Sequence, residues 1–467
     1  MSENSEVGGG RSMSVTRGFD WCDLAIERGL ARGAAAVEAF YLESRSVEVM
    51  VEKNDIHVPK GDRYSGIGLR VLMASDDGFK QGFASTNLLT AESIDSALAA
   101  AMAIAEASPA DPARCLAQPD RGAAGVEPVE GLYDEGIAGM DLAGAMKQAG
   151  AFLEGALGYD GRVTVDSAMF RAEVSEKTVA NSNGVRLSQH KTVASTQGIA
   201  FAVDGDRVSS FDLGVAESCA LGQVDAFGVG RDLARRVVAA LDARSAPSFR
   251  GKVLLTPYAA LELVLEPIAY SCNAEIVQTG RSKWKGMLGK QVASPMVSVV
   301  DDPGIPQASG STAFDREGVP ARRLELVTGG VLQDYLYNCY TARRDGRESN
   351  GRASGNDAGL PGVSTTNMVL SPGKHSLEQL IAQCDRGLIV NRFSGGVDPA
   401  SGDFSGVVKG GHYVEGGVVA YPVKEMMIAG NIYELLTQVV GLSDELWVLG
   451  AYRLPHILLD GCSITGK

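Results

Sequence analysis

Hydrolytic or metal chemistry in this chain would start from its five histidines and seven cysteines, and neither set has the spacing for it. His57, His190, His375, His412 and His456 stand far apart, so no two form the short helical pair of a zincin motif. Isolated histidines are far more often surface or hydrogen-bonded residues than ligands. Cys22, Cys115, Cys219, Cys272, Cys339, Cys384 and Cys462 are scattered singly, without a C-x-x-C. A disulfide framework is therefore not expected, and a reducing, cytoplasmic setting is. There is no G-x-S-x-G elbow and no G-x-x-x-x-G-K-[ST] loop. The pairs Gly66/Gly68 and Gly228/Gly230 lack the strand–turn–helix spacing of a dinucleotide site. The 57 glycines suit tight turns better than a phosphate cradle.

The elements that would position any site read as α+β. At 467 residues the chain exceeds one ordinary core, and 45% hydrophobic with 21% charged residues is an ordinary globular balance. A net charge of −14 repels phosphate backbones, so nucleic acid is not an expected partner. Arg343, Arg344, Arg347 and Arg352 make the best basic patch, diluted by Asp345 and Glu348. The longest apolar run, 97–105, is too short for a membrane span. Residues 1–18 are Ser/Gly-rich and read as a flexible tail.

Helices are expected over 19–33, from Thr90 to about 107, over 141–157 and over 223–241. Strands are expected at 36–42, 47–52, 67–74 and 79–85, and through 162–216 with turns at Asn183-Gly184 and Asp204-Gly205. Residues 108–135 read as a long surface connection, and 243–250 as a linker. The second half is richer in strands. A helix over 257–271 is interrupted by Pro267, and a hairpin turns at Gly329-Gly330. Ser376 with Gln379 makes a capping box. Strands cover 387–393, 412–423 and 454–459, and Asn431 caps a last helix to about 441. The expectation is two domains, 19–242 and 251–467, each an antiparallel sheet with packed helices.

Three long segments then carry a resemblance: 287–303 (MLGKQVASPMVSVVDDP), 314–344 and 387–436. They are similar to the TldD/PmbA metallopeptidase family, once called modulators of DNA gyrase. The N-terminal half is similar more loosely, at 65–72 and 179–189. The resemblance implies a heterodimer in which a TldD-type subunit holds catalytic zinc through H-E-x-x-x-H and a downstream cysteine. The PmbA, or TldE, branch lacks that motif. The pair trims or degrades unfolded peptides.

Counted back from Gly289, the motif window falls on Leu265-Glu266-Pro267-Ile268-Ala269-Tyr270. The ligand positions are then Leu265 and Tyr270, and only Glu266 survives. Leucine has no donor atom, and neutral tyrosine is a poor zinc ligand. No histidine lies between His190 and His375 to replace them. Five residues span about 500° of helix, so such ligands converge only over a widened turn. Pro267 is expected to abolish that turn. Cys462 reads as a buried small hydrophobe rather than the zinc cysteine.

The resemblance thus implies a non-catalytic subunit with no cofactor of its own, zinc on a TldD-like partner and a peptide as substrate. Extended peptides bind by adding a strand to a sheet edge. Residues 387–393 and 404–408 are the expected groove, with Phe404, Ser405 and His412 as candidate contacts. Two other readings stay open: a regulatory binding protein without peptidase role, and a metal-free homo-oligomeric hydrolase.

Overall fold

The computed structural model describes residues 15–119 and 126–466. Of the expected tail, residues 1–14 lie outside the described residues, as do 120–125 of the long connection. Helix Val15–Ala31 begins inside the expected tail.

The first half is built on one sheet. Its strand order is Gly78–Thr86, Lys60–Ser75, Ala36–Glu52, Val163–Asn181, Arg186–Asp204 and Arg207–Val208, all antiparallel, with Asp212–Ser218 also on Arg186–Asp204. Ala36–Glu52 is one strand where the sequence suggested two. Its polar middle, Glu43 to Ser46, is paired on both sides, and ladder hydrogen bonds come from backbone rather than side chains. The hairpin closes through Asp76-Asp77, with Gly78 at φ +119°.

Thr90 caps its helix as expected, its Oγ1 accepting the Ser93 N–H at 3.2 Å, and Asp141, read only as the start of a helix, is the cap of the next, its Oδ1 accepting the Gly144 N–H at 2.7 Å. Helices Val15–Ala31 and Ala91–Ala107 bury their apolar stripes with the strands at one end of the sheet. Leu142–Leu157 and Ala226–Ala239 do so at the other. The last two helices cross closely. A Cβ on Gly155 would sit 2.1 Å from the Phe227 carbonyl oxygen, and one on Gly230 would sit 2.2 Å from that of Phe152.

The second half contains a nine-stranded and a six-stranded sheet, with Ala353–Ser354 and Gly362–Val363 as a separate pair. The larger sheet runs Arg392–Val397, Asp403–Lys409, Met427–Asn431, Ile457–Thr465, Phe249–Leu255, Arg386–Val390, Gly411–Glu415 and Val418–Val423. Phe249–Leu255 and Arg386–Val390 are parallel, against the expectation of antiparallel pairing alone. The hairpin at Gly329 and Gly330 has both residues at positive φ, +56° and +78°. Ser376 and Gln379 cap each other reciprocally.

Two expectations fail near the C-terminus. Asn431 caps a helix, but it ends at Leu435, and a 3-10 turn leads into strand Val439–Leu442. That segment pairs with Ile457–Thr465, so tertiary pairing overrides helical periodicity there. The expected strand 454–459 is split. Tyr452–Leu454 belongs to the smaller sheet and Ile457–Thr465 to the larger, and Pro455, without an N–H, stands where the chain changes sheets.

His456 sits at this crossing, 5% exposed, with Nδ1 unpartnered and the Trp447 ring 5.9 Å away. Burial pushes its imidazole from 6.5 to about 4. The neutral ring is therefore favoured in the folded state. That stability is full above the unfolded value and is lost as pH falls from 6.5 through about 4. His456→Leu should flatten urea stability across this window by on the order of 2–3 kcal/mol. An unchanged slope would refute the assignment.

Candidate functional site

The site is the helical segment 257–272 and what surrounds it. Pro257 stands in the first turn, where no N–H is needed. Between Leu261 and Leu265 the helix widens into a π turn, and the Glu266 N–H reaches the Leu261 carbonyl five residues back. This corrects the expectation that Pro267 removes a widened turn. The proline falls at the start of the next segment, Glu266–Cys272, where its missing N–H breaks no α-helical bond. The wide turn and the proline are compatible because the turn lies entirely before it.

The aligned motif positions face different ways. Leu265 is fully buried among Val253, Leu263, Val264 and Ile268. Tyr270 is half-buried, and Glu266 is exposed. One turn before Glu266, Glu262 shares its face of the helix. Partial desolvation raises the Glu266 carboxyl above its ordinary range. Glu262 is raised by desolvation and by Glu266, while Arg392 opposes the shift. These residues do not fit a zinc ion. One ligand position is a hydrocarbon in the core, another a phenol, and a carboxylate points away from the first. Cys462 is 1% exposed, and burial pushes its thiol up to about 12.

Arg392 opens the edge strand Arg392–Val397 and ties it to the first half. Its guanidinium lies 3.7 Å from Asp212 and stacks over Phe211 at 5.4 Å. Asp212 also accepts Arg236 Nε at 2.7 Å and Asn391 Nδ2 at 2.8 Å. Sequence reasoning missed Glu262, Arg392, Asp212 and Arg236. Glu262 was readable as an acidic residue four before Glu266. Nothing in sequence linked Asp212 to Arg392, 180 positions away.

The expected groove needs correction. Arg386–Val390 is paired on both sides, with Phe249–Leu255 and Gly411–Glu415. Asp403–Lys409 lies between Arg392–Val397 and Met427–Asn431. Residues 387–390 and 404–408 therefore lie on interior strands, and of the expected groove only Arg392 and Phe393 fall on an edge strand, Arg392–Val397. Phe404 is 5% exposed and packs edge-on against Phe393 at 5.9 Å. Ser405 is exposed, whereas His412 is half-buried between Ile389 and Pro422, and burial depresses its imidazole. Among the described residues the outer strands of this sheet are Arg392–Val397, with Ser394, Gly395 and Gly396 exposed, and Val418–Val423, whose end is bridged to Arg244. The proposed arginine patch also dissolves: Arg352 is buried on Asp301, and Arg347 pairs with Asp334 at 2.6 Å.

Comparison with known proteins agrees along the chain. Models of PmbA/TldA metallopeptidase domain 1, central domain and C-terminal domain match residues 37–105, 137–241 and 248–466. The chain is 27% identical to a metalloprotease PmbA homologue of Haemophilus influenzae over 95% of both chains. It is 26% identical to metalloprotease PmbA of Escherichia coli O157:H7, over 83% of this chain and 84% of that one. The crystal structure of TldE from Thermococcus kodakarensis covers 96% of this chain and 100% of its own at a TM-score of 0.84 and 22% identity, which shows a shared fold. Among the described residues no helix is long and apolar enough to cross a membrane.

Proposed function

The chain belongs to the PmbA/TldD metallopeptidase family, and from that premise we propose that it is the non-catalytic, TldE-like subunit of a heterodimeric zinc peptidase. The observation that carries this reading is Leu265. A side chain without a donor atom, sealed in the core, stands at the first ligand position of the aligned motif. Glu266 alone has no metal-activated water to deprotonate. Zinc and the activated water belong to the TldD-like partner. Residues 19–242 and 251–467 are the two units of this subunit, joined by 243–250. All seven cysteines are free, which suits a cytoplasmic location.

The test is to co-express the chain with a TldD-type protein, then assay zinc and the digestion of an unfolded peptide. The pair should hold about one zinc and cleave, and the chain alone should do neither. Zinc retained by the lone chain, with peptide turnover that chelation abolishes, would overturn the assignment.

The substrate is an extended peptide held by backbone pairing, which reads little sequence. The edge Arg392–Val397 lies against helix 257–272 and is the strand for this role. Proline scanning of Ser394 to Gly396 samples both sides of the strand, because consecutive N–H groups alternate between the ladder with Asp403–Lys409 and the open edge. Turnover by the pair should fall about tenfold at one of these positions at least, since a lost backbone hydrogen bond is worth roughly 1 kcal/mol and the ring adds a clash. Full activity at every position would exclude this edge.

A further inference from the structure

A cavity of about 290 Å³ opens where strands Val163–Asn181 and Arg186–Asp204 meet the segments 310–316 and 351–356. No residue of helix 257–272 lines it. Lys177 and Lys191 enter from neighbouring strands. Lys177 is opposite Gln189 and Lys191 opposite Ser175, so the two are diagonal neighbours on one face. Lys177 Nζ donates to Thr312 Oγ1 at 2.6 Å and to the Phe314 carbonyl at 2.7 Å. Lys191 Nζ donates to the Ser311 carbonyl at 2.9 Å and to that of Ser309. An ammonium has three N–H groups, so Lys191 keeps one for a further acceptor, and Lys177 one that shares its Nζ only with the face of the Phe314 ring, 4.4 Å from the centroid.

The other charges of the cavity are accounted for. Arg316 pairs with Glu38 at 3.1 Å, and Arg352 pairs with Asp301. Asp315 spends its oxygens on the N–H groups of Glu317, Val319 and Ala353. Among the described residues neither lysine has a carboxylate in ion-pair contact. Two cations are thus held side by side with incomplete neutralisation, in a space lined also by Ser175, Ser354 and Thr365. Burial, and then Lys191, pushes Lys177 down to about 7. Burial likewise lowers Lys191. Adding an anion removes this strain, because an opposite charge restores the ammonium form.

We propose that this cavity binds a small oxyanion, a carboxylate or a phosphate no larger than a single amino acid, between Lys177 and Lys191. The size follows from the volume, at the small end of ligand pockets. The alternative is that the lysines only staple loop 309–314 to the sheet.

Calorimetric titration of the full chain in low salt below neutrality separates these. Phosphate and acetate are the two probes, and the stronger one names the source. One saturable site is expected. Lys177→Gln and Lys191→Gln keep an N–H for the loop but remove the charge, and each should weaken binding at least about tenfold. Lys147→Gln, on the exposed face of Leu142–Leu157, should leave it unchanged. Binding to neither probe, or binding undiminished in the folded double variant, overturns the proposal. Should the variants not fold, amine acylation of the unaltered chain read by mass spectrometry decides. The bound oxyanion must slow labelling of Lys177 and Lys191 and not of Lys147, and equal rates refute the site.

Discussion

Arg70→Ala is expected to lower stability by about 3–5 kcal/mol, the usual cost of leaving buried charges without their partner. Arg70 is 3% exposed on strand Lys60–Ser75. It hydrogen-bonds Glu38 at 2.5 Å and stands in ion-pair contact with Glu317 at 2.8 Å. Glu38 also holds Arg316 at 3.1 Å, and Glu317 accepts the Cys339 N–H at 2.7 Å. Four buried charges therefore alternate across the junction of the two halves. Burial alone would drive the Arg70 guanidinium down, but Glu38 and Glu317 together hold it firmly charged. Removing it leaves Glu317 without its ion pair and Glu38 with Arg316 alone. Arg70→Lys should recover only part of the loss, since a point charge does not bridge both partners as a planar fork does. Urea denaturation of the three proteins checks this. A loss below about 1 kcal/mol for Arg70→Ala, the range of an exposed pair, would show the network to be solvent-relaxed.

At the degenerate motif, Leu265→Ala should cost about 2–5 kcal/mol and Glu266→Gln almost nothing. Leu265 is sealed in the main core of the second half, and truncation leaves a cavity that the π turn does not close. Glu266 is exposed, with no hydrogen bond from its carboxylate among the described residues. In the co-purified pair, Glu266→Gln should leave peptide turnover within about threefold. Loss of a working general base would cost roughly a hundredfold or more. Such a collapse with unaltered stability would mean that this glutamate acts on substrate, and the non-catalytic reading would fail. The two variants together separate a structural remnant from a functional one.

Much of the local structure was legible. Thr90, Ser376 and Asn431 cap helices because short polar side chains satisfy orphan N–H groups regardless of what packs later. Glycines at 184 and 330 mark turns because positive φ is cheap for them alone. That Leu265 cannot ligate a metal was equally plain, since leucine lacks a donor atom in any fold. Less legible were the boundaries that depend on partners. Residues 439–442 extend because a strand waits beside them, and 454–459 divide because two sheets compete for them.

The amino-acid order by itself settled chemistry that is local or additive: the turn and cap residues, the α+β alternation, the acidic balance and the absence of histidine between His190 and His375. Tertiary structure alone decided which strands have a free edge, that a π turn coexists with Pro267, and that Asp212 meets Arg392. It also set Lys177 and Lys191 in one cavity with no carboxylate in ion-pair contact among the described residues. The reason is distance along the chain. Period and propensity act over a few residues, whereas edges, ion networks and cavities are made by segments more than a hundred positions apart, whose pairing no short-range pattern encodes.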